Sequence, residues 1–286
     1  MRRILLHVAY DGTAYSGFQR QKDLTIPTVE GRIAEALLSL TGAEPELIGG
    51  SRTDAGVHAY DNVTVFDTES RIPADRFARA LNTRLPEDIR AWKSEEVEAD
   101  FHPRHRKTVK TYVYRIWNAQ IPDPMQRLYT HHSFTRFDVG RMQEAAAYLV
   151  GEHDFKSFCN DHTQALTTVR KVLSVEVSAS FEEMPRTISI EVKGEGFLYN
   201  MVRIIAGTLM EVGAGQYPPE RVREILEGCD RTLAGHTAEA KGLTLVRYEM
   251  FEEDERNRQP DGTGEEPGPE PASMPEKRPD NPEKSD

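Results

Sequence analysis

Strict two-residue alternation runs through TVRKVLSVEVSAS (168–180) and RTISIEVKG (186–194), apolar β-branched side chains trading places with polar ones. Such a period puts alternate residues on opposite faces of a strand, and the apolar face must then be covered by a second layer. VGRMQEAAAYLVG (139–151) supplies a piece of that layer, because it has helical spacing and stops at Gly151. Along the chain the pattern predicts a strand at 3–10, a helix at 28–40, strands near 45–49 and 59–67, a helix at 74–82 and a strand at 89–98. The order then recurs: strand 108–117, helix 138–149, strands 168–181 and 186–194, helices 197–212 and 219–227, and strand 243–250. The reading is an α+β chain of two ferredoxin-like (RRM-like) halves side by side, 1–104 and 105–251. The duplication concerns element order, since no residue-level repeat is visible. With 286 residues and 38% hydrophobic content, the chain can bury one large core or two small ones.

Residues 252–286 belong to neither half. They hold 12 acids and 5 bases, 7 of the 17 prolines, no aromatic residue, and only Ala272 and Met274 as apolar side chains. Such a segment is expected to be a disordered acidic tail. It carries −7 of the net charge of −11, leaving −4 for residues 1–251. MRRILLHVAYDG enters a strand pattern directly rather than a signal-peptide core, and no apolar run is long enough for a membrane span, so a cytoplasmic protein without membrane attachment is expected. Cys159 and Cys229, the two cysteines, give no disulfide framework. Cys159 with His162, and His131 beside His132, do not extend to a four-ligand set, so no metal site is expected.

Net negative charge argues against a nucleic-acid partner, but its distribution does not. FHPRHRKTVKTYVYRIWNAQIP (101–122) carries Arg104, Arg106, Lys107, Lys110 and Arg115 without one acid, interleaved with Phe101, Tyr112, Tyr114 and Trp117. Cations for phosphates and rings for unstacked bases are the two components of single-stranded RNA binding. A strand edge guarded by lysine and arginine would give the same composition.

GGSRTDAGVHA (49–59) sets Arg52 and Asp54 two positions apart among glycines. A loop that folds tightly and then exposes one carboxylate suits catalysis by Asp54, with Arg52 close enough in sequence to keep it ionised. An Asx-turn, in which Asp54 only satisfies backbone N–H groups, fits the spacing equally. An aspartic protease would need a second copy of the loop, and there is none. A glycoside hydrolase would need a second carboxylate, for which VEAD (97–100) is the one faint candidate.

Several stretches together resemble the tRNA pseudouridine synthase A family: YDGTAYSGFQRQ (10–21), RTDAGVHA (52–59), DFHPR (100–104), YVYRIWN (112–118), GEHDFKSF (151–158), GFLYNMVRIIAGTLMEVG (196–213) and DRTLAGHTAEAKGLTLV (230–246). The resemblance runs from Leu5 to about Met250. It implies a pseudouridine synthase fold, a central cleft between the two halves, a homodimer, and cofactor-free isomerisation of uridine to pseudouridine in the anticodon stem-loop of tRNA, at positions 38, 39 and 40. By matching motifs it makes Asp54 the catalytic aspartate, Tyr112 the aromatic residue stacked on the target base, and Arg203 a basic partner reaching the aspartate. Arg52, His58, Gln19 and Arg20, with Phe101, His102, Arg104 and His105, are implied to contact tRNA. Family members commonly have Gly at the position of Ser51, Trp at that of Phe18 and often Pro at that of Glu239. CNDHTQALTTVR (159–170) follows the family least, although it lies where the resemblance implies a tRNA-contacting segment.

The residue types suit the reaction. Moving uracil from an N1 to a C5 linkage involves no net redox change, so one carboxylate can serve, as nucleophile on sugar or base or as base toward a sugar proton. A paired uridine must leave the stack at a cost of a few kcal/mol, offset by an aromatic platform. On the helix read at 197–212, Phe197, Met201, Ile204, Thr208 and Val212 form one stripe, while Asn200, Arg203 and Gly207 share another face. Gly207 there leaves room for a ligand or another backbone. A noncatalytic RNA binder on RRM-like sheets is the alternative, and a lone carboxylate at position 54 would repel its ligand.

Overall fold

The computed structural model describes residues 1–160, 165–180 and 186–251. The acidic stretch 252–286 and His162 therefore lie outside the described residues. The strands are β1 (Arg2–Tyr10), β2 (Leu47–Gly49), β3 (His58–Thr68), β4 (Ile89–Val97), β5 (Lys107–Asn118), β6 (His131–Ser133), β7 (Gly151–Asp154), β8 (Val169–Ser180), β9 (Arg186–Gly194) and β10 (Leu243–Phe251). The helices are α1 (Val29–Thr41), α2 (Phe77–Leu81), α3 (Val139–Ala147), α4 (Met201–Gly213) and α5 (Arg221–Gly228). The fold is mixed α+β, built on one sheet in the order β4-β1-β3-β10-β5-β9-β8-β7, with β2 paired to β3 and β6 to β5. No helix among the described residues is long and apolar enough to cross a membrane.

Local chemistry sets the helix ends. Thr28 caps α1 by accepting the Gly31 N–H at 3.1 Å, and Gly42, at φ 77°, closes it. Asp138 caps α3 through the Arg141 N–H. The helix read from residue 197 starts only at Met201, because Asn200 takes the left-handed conformation at φ 61°. Phe197 therefore lies in a loop and is not part of the helix stripe. Gly151 opens β7 rather than closing α3, and residues 74–76 form a 3-10 turn ahead of α2. The pattern reading missed β6 and β7, which are too short and polar to show a period.

β1 is buried on both faces: Ile4, Leu6 and Val8 enter the main core, while Leu5 joins Val63, Val65 and Tyr248 in a small second cluster. The main core is continuous along the sheet, taking in Tyr114 and Ile116 of β5, Ile188 and Ile190 of β9, and Ile204, Ile205 and Leu209 of α4. β10 joins the two groups of strands. It runs antiparallel to β5 along its length but meets β3 only through Thr244↔His58 and Leu245↔Ala59, in parallel. The loop that carries Asp54 enters β3 at this narrow joint.

Candidate active site

The loop from Gly50 to Val57 is held from behind by Asn62 of β3, a fully buried amide. Its Nδ2 donates to the Ser51 carbonyl at 2.9 Å and to the Tyr10 hydroxyl at 3.1 Å. Its Oδ1 accepts the N–H groups of Ser51 at 3.2 Å and Val63 at 2.9 Å. The Tyr10 hydroxyl bonds Thr53 Oγ1 at 2.7 Å, and Ser51 Oγ bonds the Tyr112 hydroxyl at 2.9 Å. Every polar group of this buried set thus has a partner, which such a network needs if it is to fix a backbone. The loop at 12–18 adds a second support, because the Phe18 N–H donates to the Thr53 carbonyl and the Gly56 N–H to the Tyr15 carbonyl. Gly17, at φ 94°, lets the two loops close, since a Cβ there would lie 2.7 Å from the Thr53 carbonyl oxygen.

So supported, Asp54 meets Arg203 of α4, whose Nη1 donates to Asp54 Oδ2 at 3.1 Å. The same Nη1 donates to Asn200 Oδ1 at 2.9 Å, and Nε to the Ala238 carbonyl at 2.7 Å. Burial pushes the Asp54 carboxyl above its ordinary value, against the pull of the Arg203 charge. The carboxylate is bonded by a guanidinium rather than by the backbone N–H groups of an Asx-turn. Arg52 is exposed, and the guanidinium that hydrogen-bonds Asp54 is that of Arg203. Gly207 makes room for a backbone and not a ligand: a Cβ there would lie 1.9 Å from the His236 carbonyl oxygen.

Asp54 opens into a cavity of about 660 Å³ whose wall also includes Arg52, Arg104, Lys110, Tyr112, Arg170 and Phe197. The Tyr112 and Phe197 rings meet edge to face at 5.2 Å. Burial pushes the Tyr112 phenol up to about 12, so it stays a neutral hydroxyl at physiological pH. Lys110 passes over the Tyr248 ring at 5.1 Å, and desolvation together with the charges of Arg104 and Arg170 brings its ammonium down to about 8.

The other sequence-predicted contacts do not line this cavity. His58 is buried, its Nδ1 accepting the Gly12 N–H at 3.1 Å and its Nε2 donating to the Lys241 carbonyl at 3.2 Å. It therefore ties three segments together instead of facing substrate. Gln19 and Arg20 are exposed, and Arg20 pairs with Glu44 at 2.9 Å. Phe101 packs on the small second cluster under the Arg106 guanidinium, and His102 and His105 stack on each other at 3.8 Å. Tyr114 is wholly buried and offers no platform. The VEAD carboxylates also lie off the cavity wall, Glu98 pairing with Arg106. No group of metal-ligating side chains occurs among the described residues.

Sequence reasoning missed Asn62, Phe197 and Arg170 as site residues. Asn62 gave no usable signal, because it stands beside Asp61 in a strand that also carries Thr64 and Asp67. Arg170 falls in the stretch 159–170, where the resemblance implies a tRNA-contacting segment, but nothing in that stretch singles it out as the residue that lines the cavity.

Comparison with known proteins was decisive on ancestry. The family described as tRNA pseudouridine synthase matches residues 6–106 and 145–249. A tRNA pseudouridine synthase A of Acetivibrio thermocellus is 46% identical over 246 residues, covering 86% of this chain and 98% of the relative. One from Brevibacillus brevis is 48% identical over 245 residues, again 86% of this chain and 98% of the relative. Among solved structures, the crystal structure of a Cbf5-Nop10-Gar1 complex aligns with a TM-score of 0.32 at 12% identity, over 87% of this chain and 58% of that one, too remote to bear on the site.

Proposed function

Because this chain belongs to the tRNA pseudouridine synthase family, and is by that membership an isomerase of uridine in tRNA, we propose that its targets lie in the anticodon stem-loop, at positions 38, 39 and 40. Asp54 is the catalytic carboxylate, Tyr112 the ring against which the extruded uracil stacks, and Arg203 the group that keeps Asp54 charged. One observation carries the assignment: a carboxylate and a guanidinium 149 residues apart in sequence meet at 3.1 Å, and the carboxylate opens onto a cavity walled by arginines, a lysine and aromatic rings. A glycoside hydrolase is disfavoured by the same wall, where the second carboxylate, Glu195, is paired with Lys171. Arg52 and Arg104 are placed to meet the RNA backbone on this wall, and the exposed Gln19 and Arg20 to meet it outside.

The strand orders β4-β1-β3-β2 and β10-β5-β9-β8 support reading two fused ferredoxin-like halves, 1–104 and 105–251, that share the cleft. The reaction as read needs neither a cofactor nor a metal. Family resemblance supports a homodimer acting in the cytoplasm, the exposed Tyr60 and Trp92 offer apolar surface for the contact between copies, and sedimentation of the purified chain checks the oligomeric state.

The deciding experiment makes one substitution, at Asp54, and reads tritium release from C5-labelled uridine in tRNA. Asp54→Asn keeps the shape of the side chain and removes nucleophile and base alike. The variant is expected to fold and bind tRNA about as well as the parent and to form no pseudouridine. Turnover by a purified, undeamidated Asp54→Asn preparation ends the catalytic assignment.

A further inference from the structure

We propose that Lys110, Arg104 and Arg170 form a binding site for one phosphodiester of the RNA, next to the uridine that enters the cavity; this rests on the function proposed above. The three cations come from different elements, the loop before β5, β5 itself and β8, and all three line the cavity into which Asp54 opens. β9 lies between β5 and β8, and in register its residue there is Gly194, opposite both Lys110 and Val172. A side chain at Gly194 would run into the Lys171 carbonyl at 3.0 Å and the Phe197 ring at 3.1 Å, so the wall between Lys110 and β8 stays low. Arg170 is fixed by its own loop, its Nη1 donating to the carbonyls of Thr167 at 2.9 Å and Val169 at 2.6 Å.

The charge of these groups is unanswered within the described chain. Asp54 is bonded to Arg203, and Glu195 pairs with Lys171 at 3.5 Å. Glu30, within electrostatic reach of Arg104, already accepts the Arg20 N–H. None of the three cations forms an ion pair with a carboxylate among the described residues, and Lys110 has lost enough water to bring its ammonium down to about 8. Cations on one cavity wall, two of which lower the ammonium of the third, favour an anion there, and the anion an RNA carries into this cavity is the phosphate attached to the inserted nucleotide. Outlying basic residues add to attraction over the whole RNA. This set, in the wall of the reaction cavity, acts on one linkage and so fixes the sugar relative to Asp54.

The test is a double-mutant cycle between the protein and the RNA backbone. An anticodon stem-loop RNA carries a single uncharged methylphosphonate at one or the other phosphate flanking the target uridine, and Kd is measured with the full chain and with Lys110→Met. The parent chain is expected to lose affinity roughly tenfold or more at one of the two positions, as for loss of a charge-assisted hydrogen bond. Lys110→Met is expected to lose affinity on unmodified RNA and to lose clearly less than the parent does from that methylphosphonate, Arg104 and Arg170 accounting for what remains, while Lys110→Arg keeps the full sensitivity. Losses that multiply at both positions overturn the assignment. If Lys110→Met does not fold, Arg170→Gln enters the same cycle with the same two outcomes. The readout is binding, so failure of the parent chain to make pseudouridine would count against the proposed reaction and leave the phosphate site to be decided by the cycle.

Discussion

At Asp54 two physical effects oppose each other: burial raises the carboxyl above its ordinary range, and Arg203 pulls it back. A group that must be ionised to attack or to accept a proton loses activity as pH falls through its raised value, so the acid limb of kcat/KM lies above that of an exposed carboxylate. Arg203→Met removes the lowering influence and is expected to move that limb to higher pH while reducing the rate at neutral pH. An acid limb that stays in place when pseudouridine formation is followed from pH 4 to 8 would remove Arg203 from this role. Tyr112→Ala should cost on the order of 1 to 3 kcal/mol of RNA binding, the usual magnitude for loss of a base-stacking ring. The size of the loss is read from Kd on a stem-loop RNA, and affinity equal to the parent's would take Tyr112 out of the base pocket. Spacing made Asp54 visible but not its partner. Arg52 is near in sequence and exposed; Arg203 is far away and in contact, and only a folded chain makes that distinction.

Among the elements, β3 has the most consequential buried polar residue, because Asn62 bonds the backbone of Ser51 on both its N–H and carbonyl sides and also holds Tyr10, which holds Thr53. Asn62→Leu leaves those groups unsatisfied, so a destabilisation of about 1 to 3 kcal/mol is expected in denaturant unfolding. Pseudouridine formation should fall further than binding, since the loop carrying Asp54 loses its backing. A variant with the parent's stability and rate would show that the glycines and the 12–18 loop suffice. The alternating strands β8 and β9 were legible because one face is covered and the other wet. The start of α4 was not: GFLYN reads as continuous helix by spacing, yet Asn200 turns left-handed and Phe197 swings onto Tyr112. Tertiary contact overrode the local pattern there, and His58, which the resemblance implies to contact tRNA, is a buried tie between Gly12 and Lys241.

For the molecule as a whole, the charge carried by 252–286 does not speak for the body. A chain ending at Glu252 keeps the whole compact unit Met1–Glu252 and is expected to retain thermal midpoint and turnover; a several-fold loss of activity at physiological salt would assign the removed residues a part in the reaction. RNA affinity should also fall steeply with salt, because each phosphate contact releases condensed counterions. A flat dependence of log Kd on log salt concentration would leave the cavity cations without a ligand. The broad architecture could be read from the order of strands and helices. That β10 would join both strand groups in one sheet could not, because its two-pair contact with β3 has no signature in either segment.

That joint also has a consequence for how the molecule comes into being. Asp54 leaves the ribosome well before its partner, which follows 149 residues later. At ordinary translation speeds this is an interval on the order of ten seconds. From the synthesis of Lys110 onward the nascent chain carries Arg52, Arg104 and Lys110 and can attract RNA, but its carboxylate has no counter-charge and the cavity no far wall. With the catalytic roles proposed for Asp54 and Arg203, the incomplete protein is a cationic segment without chemistry, and reactivity is expected only after α4 and β10 have been made and docked. Uridines that meet an unfinished chain are then expected to be left unaltered.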